Sequence, residues 1–425
     1  MVSLMVDFKQ LGRCLLLGAA LYTPLTTAAD KELVILTTFS QAPITALVDD
    51  FTQHYPDAEV RVVHRRTQSS LQLLSKSYMK DIDLVLSSSP FLMQKLSDEH
   101  RLADMSSSVQ VPKWLSAYLL SNNEQVVAFG YSGAGIVWNK DYLAANHLPE
   151  PKRFQDLTNP LYFGHVTMST PSRSGTTQLM VESVLSRYGW KQGWRILLNV
   201  GANLATISSR SFGVADYIAK GKFGIGPTID SYALIAKRKF DYVGFAYDQD
   251  FTLMPTYIAQ INRGERDKLA EAFVAHLLSK EVQEQMESSA FSKTALYDTA
   301  RYSGENPILD LKQVMPREAL INLIFDTAIT KRLPELQDAW LTLIKFEQSP
   351  EQQCSLKAIE KQLFELPLSK EQIAPIAQKL ATLDKDSEVG LTHYQALLAE
   401  FSHELGRAMS EQLDNVNQQL AQCRE

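Results

Sequence analysis

Three apolar runs near the start of the chain each end in small hydroxyl residues. That repetition restricts the fold more than any other feature. Leu33-Val34-Ile35-Leu36 runs into Thr37-Thr38, Val60-Arg61-Val62-Val63 into Thr67, Ser69 and Ser70, and Ile82-Asp83-Leu84-Val85-Leu86 into Ser87-Ser88-Ser89. Between them, Ile44, Leu47, Val48 and Phe51, and then Leu71, Leu74 and Tyr78, recur at helical spacing. Strand, helix, strand, helix, strand predicts a parallel α/β sheet with right-handed crossovers. Ligands of such open sheets bind at the carboxyl ends of the strands. One hydroxyl run is ordinary turn chemistry. Three in the same topological place point to a polar site, with Thr38, Ser40, Thr67, Ser88 and Ser89 as its candidates.

A second stretch has the same chemistry in denser form. Ser169-Thr170-Pro171-Ser172-Arg173-Ser174-Gly175-Thr176-Thr177 precedes Met180, Val181, Val184, Leu185 and Tyr188, which again fall at helical spacing. Ser174 suits the cap of that helix, because its oxygen can accept from free N–H groups of the first turn. Gly175 lets a ligand approach the backbone. A capped helix explains these residues by itself. Free N–H groups, the helix dipole and the hydroxyls of Ser172, Ser174, Thr176 and Thr177 together also suit a phosphate or carboxylate.

Val126 to Asn139 reads as an extended segment with a glycine-rich middle, and Tyr131 and Ser132 in it are further candidates. Pro149 to Pro160 reads as a surface loop, and Phe163 to Met168 as a strand leading into the hydroxyl-rich motif. A helix then ends near Tyr188-Gly189-Trp190 and another spans Gly193 to Asn199. Arg210 can hold two oxygens of one anion, the alternative being a surface ion pair. Phe223 to Thr228 is a strand whose end brings Asp230 and Tyr232, able to bond or stack on a ligand or simply to open the next helix. Tyr242–Tyr247 and Thr256–Ile261 are two more strands, and Lys268 to Ser288 a single amphipathic helix.

The chain has 425 residues, with 42 Lys and Arg against 48 Asp and Glu, a formal charge of −6. That counts against a general nucleic-acid binder. Lys9 and Arg13 precede the apolar run Cys14 to Tyr22, and Thr27-Ala28-Ala29 follows, the pattern of an export signal cleaved after Ala29. The expected product is exported to the periplasm. Of three cysteines, Cys354 and Cys423 then remain, an even pair that suits one disulfide in an oxidising compartment, with two free thiols as the alternative. The eight histidines are scattered, with no zinc spacing, so neither a metal nor a cofactor is expected.

The exported chain, the Leu33–Thr38 strand, Ser87–Ser89, the Tyr131–Trp138 crossing segment and the Gly201–Tyr232 run resemble the type II periplasmic solute-binding proteins. The closest branch is that of ferric-ion and sugar-phosphate binders. Residues Pro171 to Glu182, Asn203 to Phe212 and Gly224 to Asp230 are most similar to its phosphoglycerate-transport regulatory group. The resemblance implies a two-lobed α/β fold that closes on a ligand. It implies a monomeric binding protein for a small anionic metabolite, partnered by an inner-membrane sensor kinase or an ABC permease. Ferric-ion members present adjacent tyrosines where this chain has Ser231-Tyr232, so the alternative ligands are a hexose phosphate or, less well matched, ferric ion. A hydrolase with Ser174 as nucleophile would need a base, and no nucleophile-elbow pattern is present.

From Pro316 the strand patterns stop. Ala319–Phe325, a run interrupted at Pro334 and resumed by Leu336, Trp340, Leu343 and Phe346, then Gln352–Phe364 and a last helix through Leu420 read as amphipathic helices. They form either a bundle packed on the lobes or a surface for a membrane partner. The expected organisation is a signal at 1–29, a first lobe at 30–130, a second at 131–246, a return to the first at 247–301, and a helical extension at 302–425.

Overall fold

Ten strands make two five-stranded sheets in the computed structural model, which describes residues 32–75, 81–105, 111–121, 124–264, 267–348, 355–384 and 387–423. The expected signal at 1–29, Tyr78 and Cys354 lie outside these residues. The first sheet holds β1 (Glu32–Thr37), β2 (Glu59–His64), β3 (Leu84–Ser87) and β4 (Val126–Ser132), with the late strand β10 (Met254–Gln260), in the order β2-β1-β3-β10-β4. The second holds β5 (Ala134–Asn139), β6 (Val166–Ser169), β7 (Leu204–Ser208), β8 (Ile225–Ile229) and β9 (Val243–Tyr247), in the order β7-β6-β8-β5-β9. In each sheet four strands run in one direction, and one, β10 in the first and β5 in the second, runs antiparallel between two of them after crossing from the other lobe. This is the two-lobed α/β architecture expected from the strand and helix pattern.

The unbroken apolar runs are explained by burial on both faces of the first sheet. Leu33 and Ile35 point to one side with Phe51, Phe129 and Phe273. Val34 and Leu36 point to the other with Leu92, Leu96 and Tyr257. The helices that cover this sheet are α1 (Gln41–His54), α2 (Thr67–Ser75), α3 (Pro90–Asp98) and α4 (Lys113–Ser116). The second lobe contributes α5 (Lys140–Ala145), α6 (Gly175–Asn203), α7 (Ser211–Ala219) and α8 (Asp230–Lys239). Within α6, Gly189 has φ 74° and ψ 174°, so the helix breaks where the sequence places its end and restarts toward Asn203. Only a glycine takes that conformation without strain. The expected loop around Phe154 contains a short 3-10 turn, Phe154–Thr158.

After β10 the single expected helix is two, α9 (Lys268–Leu277) and α10 (Lys280–Gln285). Ser279 between them accepts from the Val282 N–H and so caps the second. The chain then turns all-helical: α11 (Leu311–Val314), α12 (Glu318–Phe325), α13 (Leu333–Glu347), α14 (Leu356–Leu363), α15 (Lys370–Thr382) and α16 (Glu388–Gln422). Pro334 opens α13 rather than interrupting a helix, because the first turn needs no N–H from it. A π-turn at Asp326–Thr330 makes the break instead.

This helical region shares one core with the second lobe. Trp194, Leu197 and Val200 of α6 belong to the same buried cluster as Leu336, Trp340, Leu343, Phe401, Leu405 and Met409. Trp340 Nε1 donates to Asn203 Oδ1 at 2.7 Å. Arg317 pairs with the fully buried Glu182, two turns along the helix that Gly175 begins. Burial pushes the Glu182 carboxyl up, against the pull of Arg317. Cys423 is disulfide-bonded. No described helix is long and apolar enough to cross a membrane.

Candidate functional site

The carboxyl ends of β1, β2 and β3 face those of β6, β7 and β8 across a cleft between the lobes, the edge where open α/β sheets bind ligands. The first lobe lines it with Thr38, Phe39, Arg66, Thr67 and Ser87 to Ser89. The second lines it with Arg173 to Thr176, Arg210 to Phe212, Ile229 and Tyr232. The lobes meet at Gly175 and Ser89, and a cavity of about 40 Å³ remains between them.

Local sequence turns this edge into a collection of helix starts. Ser89 caps α3 by accepting from the Leu92 N–H at 3.3 Å. Ser174 caps α6 by accepting from the Thr177 N–H at 3.2 Å. α2 begins at Thr67, α7 at Ser211 and α8 at Asp230. Five helix N-termini from both lobes therefore converge, each bringing the partial positive charge of its helix end. The hydroxyls are linked to one another: Thr38 Oγ1 to Ser87 Oγ at 2.8 Å, and Ser174 Oγ to Thr176 Oγ1 at 2.9 Å.

Three arginines add full charges. Arg66, Arg173 and Arg210 line the cleft, no carboxylate lines it, and no described ion pair joins these arginines to an acid. Burial lowers the Arg210 pKa from its ordinary value, and the like charges of Arg66 and Arg65 push the same way. Its guanidinium lies 5.5 Å over the Phe212 ring. A cleft of this kind is short of negative charge and has the donors to hold it.

Of the residues singled out in the sequence, Thr38, Thr67, Ser88, Ser89, Ser174, Gly175, Thr176, Arg210 and Tyr232 come together as lining. Ser40 sits just outside it, hydrogen-bonded to Tyr232, the other lobe's tyrosine. Ser172 is turned to Thr170 Oγ1 at 2.8 Å, and Thr177 contributes its backbone N–H to the Ser174 cap. Tyr131 is buried in the first lobe with its hydroxyl donating to the Asp298 carbonyl. Asp230 and Ser132 lie behind the cleft. The sequence passed over Arg66 and Arg173. Both stood in view at the ends of strand patterns, but a lone arginine there is usually a solvated side chain.

Behind the cleft floor is the crossing between lobes. β4 ends at Ser132 in the first sheet and β5 starts at Ala134 in the second, so Gly133 is the single residue between them. A Cβ on Gly133 would lie 2.8 Å from the Tyr247 ring, which explains the glycine. Asp230 Oδ2 accepts from the Gly133 N–H at 2.8 Å and from the Tyr247 hydroxyl at 3.2 Å. From the first lobe the buried Lys293 donates to Ser132 Oγ at 2.8 Å and lies 5.2 Å over the Phe39 ring. Burial lowers the Lys293 pKa to about 8, opposed by Asp230. Burial raises the Asp230 carboxyl, opposed first by Lys293. Both partners are driven toward neutrality, so desolvation outweighs their mutual attraction.

Two other chemistries fit the donor set poorly. A hard ferric ion takes several anionic oxygens, and the lining offers one tyrosine with no carboxylate or histidine. Serine nucleophiles need a base within hydrogen-bond reach. His165 is bonded instead to the Tyr142 hydroxyl at 2.9 Å.

Comparison with known proteins agrees with the two-lobed fold. The phosphoglycerate transport regulatory protein PgtC of Salmonella typhimurium is 37% identical over 328 residues, covering 74% of this chain and 81% of its own. The periplasmic binding protein AfuA of Actinobacillus pleuropneumoniae, solved with fructose-6-phosphate, superposes with a TM-score of 0.62 at 16% identity, over 71% of this chain and 99% of its own. The ferric binding protein of Campylobacter jejuni gives 0.56 at 14% identity, over 69% and 98%. These last two likenesses are of fold. Residues 80–310 match the family described as bacterial extracellular solute-binding protein, and the chain belongs to that family.

Proposed function

We propose that the chain is a periplasmic receptor for a small phosphorylated or carboxylated metabolite of the phosphoglycerate type, acting in the sensing and regulation of its uptake. The observation that carries this reading is the cleft lined by three arginines and five helix N-termini with no carboxylate. Arg66, Arg173 and Arg210, with the N–H groups after Ser174, would hold the anion. Thr38, Thr67, Ser88, Ser89 and Thr176 would choose the carbon skeleton attached to it. The PgtC relative, by its name a regulator of phosphoglycerate transport, supports the ligand class and the regulatory role. The export signal expected at 1–29 supports the periplasm.

In this proposal the lobes follow the two sheets, 30–132 with 248–301, and 134–247, shifted by up to three residues from the bounds expected from the sequence. They rotate about the crossing at Gly133 and the return between β9 and β10. The liganded form is passed to an inner-membrane sensor kinase or ABC permease. Binding without turnover is favoured by the Ser174 hydroxyl, which is engaged by Thr176 and the Thr177 N–H in a lining that holds no base.

Isothermal titration with 2- and 3-phosphoglycerate, phosphoenolpyruvate and a hexose phosphate tests the proposal. Saturable binding of at least one, weakened in Arg210→Ala, is expected. No heat with any of them, in a folded protein, overturns it.

A further inference from the structure

Far from the cleft, the first lobe gathers a metal-ligand set that the scattered histidines of the sequence conceal. Asp50 and His54 are one turn apart on α1, and His276 comes from α9. One ligand atom from each lies within 4.8 Å of the other two. His276 Nε2 is 2.9 Å from Asp50 Oδ2, and the two imidazole rings are 5.1 Å apart. A fourth group is at hand, since Glu281 Oε2 of α10 is 4.0 Å from His54 Nε2.

The orientation of His54 favours ligation. Its Nδ1 is 3.0 Å from the Asp50 backbone carbonyl. Donation there fixes the tautomer and leaves the Nε2 lone pair directed at His276 and Glu281, the arrangement in which ligating histidines are held. The set also lies at the carboxyl end of α1, where free carbonyls favour a cation. His276 is held by packing, with 8% of its side chain exposed, whereas His54 is 46% exposed and free to adjust. Bonds of about 2.0–2.1 Å to imidazole and carboxylate need neighbouring ligand atoms roughly 3.3 Å apart, so shifts on the order of 1 Å complete the site.

We propose that Asp50, His54 and His276, with Glu281 as the fourth ligand, bind a divalent first-row transition ion, with zinc as the probe. Two imidazole nitrogens and two carboxylates suit zinc, copper or nickel and not the all-oxygen preference of calcium or magnesium. The ion would pin the far end of α1 to α9 and α10. The near end of α1 starts at the cleft, about 20 Å away by the rise of a fourteen-residue helix.

The test uses the full exported chain freed of metal with a chelator and titrated calorimetrically with zinc chloride, with melting temperature followed in parallel. One zinc per chain and a raised melting temperature are expected, with magnesium giving neither. His54→Ala and Asp50→Asn should each weaken zinc at least about tenfold, the lower end of what altering a metal's ligand environment costs. Both variants should bind phosphoglycerate as the parent does. No stoichiometric zinc, or zinc held equally well by both variants, overturns the proposal.

Discussion

Gly175 of the second lobe faces Ser89 of the first so closely that a Cβ built on Gly175 would lie 2.7 Å from the Ser89 Cβ. Two helix starts are thereby set side by side, α6 capped by Ser174 and α3 capped by Ser89. The lobes can approach this far only because one of the two positions has no side chain. Gly175→Ala should therefore weaken ligand binding by about 5- to 150-fold, the equivalent of ~1–3 kcal/mol of overpacking. Ser89→Gly in the same chain should relieve the clash and restore closure more than affinity, because it also removes the α3 cap and a proposed ligand contact. Titration gives the affinities, and small-angle scattering should find the ligand-saturated single variant more open than the double.

Arg210→Ala removes a charge-assisted contact in the proposal for the cleft. A loss of about 10- to 150-fold in affinity is expected, from ~1.5–3 kcal/mol per such bond. The melting temperature without ligand should hold or rise slightly, because Arg66 and Arg65 lose a like-charged neighbour. Weakened binding together with a lowered melting temperature would instead mark a structural arginine.

Lys293 provides a pH signature. Its pKa is about 8 in the fold and near its ordinary value of 10.5 when the chain unfolds. Between these values the unfolded chain holds a proton that the folded chain has released, so stability rises with pH across that window, by at most about 1.4 kcal/mol per unit. Above roughly pH 10 the buried tyrosines reverse the trend, since burial raises Tyr131, Tyr247 and Tyr257 and the unfolded chain ionises first. Urea unfolding at pH 7.5, 8.5 and 9.5 should show the rise in the parent. The rise should be absent in Lys293→Met/Asp230→Asn, where neither charge is left buried alone.

The strand ends of the first lobe were legible because a fully buried parallel strand and a polar turn differ in composition within two residues, as at Leu36-Thr37-Thr38. The start of α6 was legible for the same reason at Ser174-Gly175. Lys293 was not. In Phe291-Ser292-Lys293-Thr294 it looks like an ordinary surface lysine, and only the antiparallel bridge of Thr294 to Tyr131 carries it inside. Tyr131 misled in the opposite sense. It sits in the crossing segment, but strand alternation turns its ring into the first-lobe core beside Trp114. The proposed zinc ligands were hidden by separation, Asp50 and His276 being 226 residues apart.

Trp340→Ala should destabilise the protein by about 3–5 kcal/mol, as for other buried tryptophans, and strand the Asn203 side chain without the donor it accepts from. Calorimetry should show the second lobe and the helical region melting together in the parent. Separate transitions for the two would contradict a single core. Arg317→Met should cost a similar amount, because Glu182 would stay buried without its partner, and Glu182→Gln in the same chain should recover part of the loss.

That common core fixes which part of the molecule stands still. α12, α13 and α16 are continuous with the packing of α6, whose first turn meets the ligand cleft. A protein that gripped the helical region would hold the second lobe immobile as well. In the proposed closure, the first lobe would be the body that swings relative to such a partner, and the angle of that swing would be the message it receives.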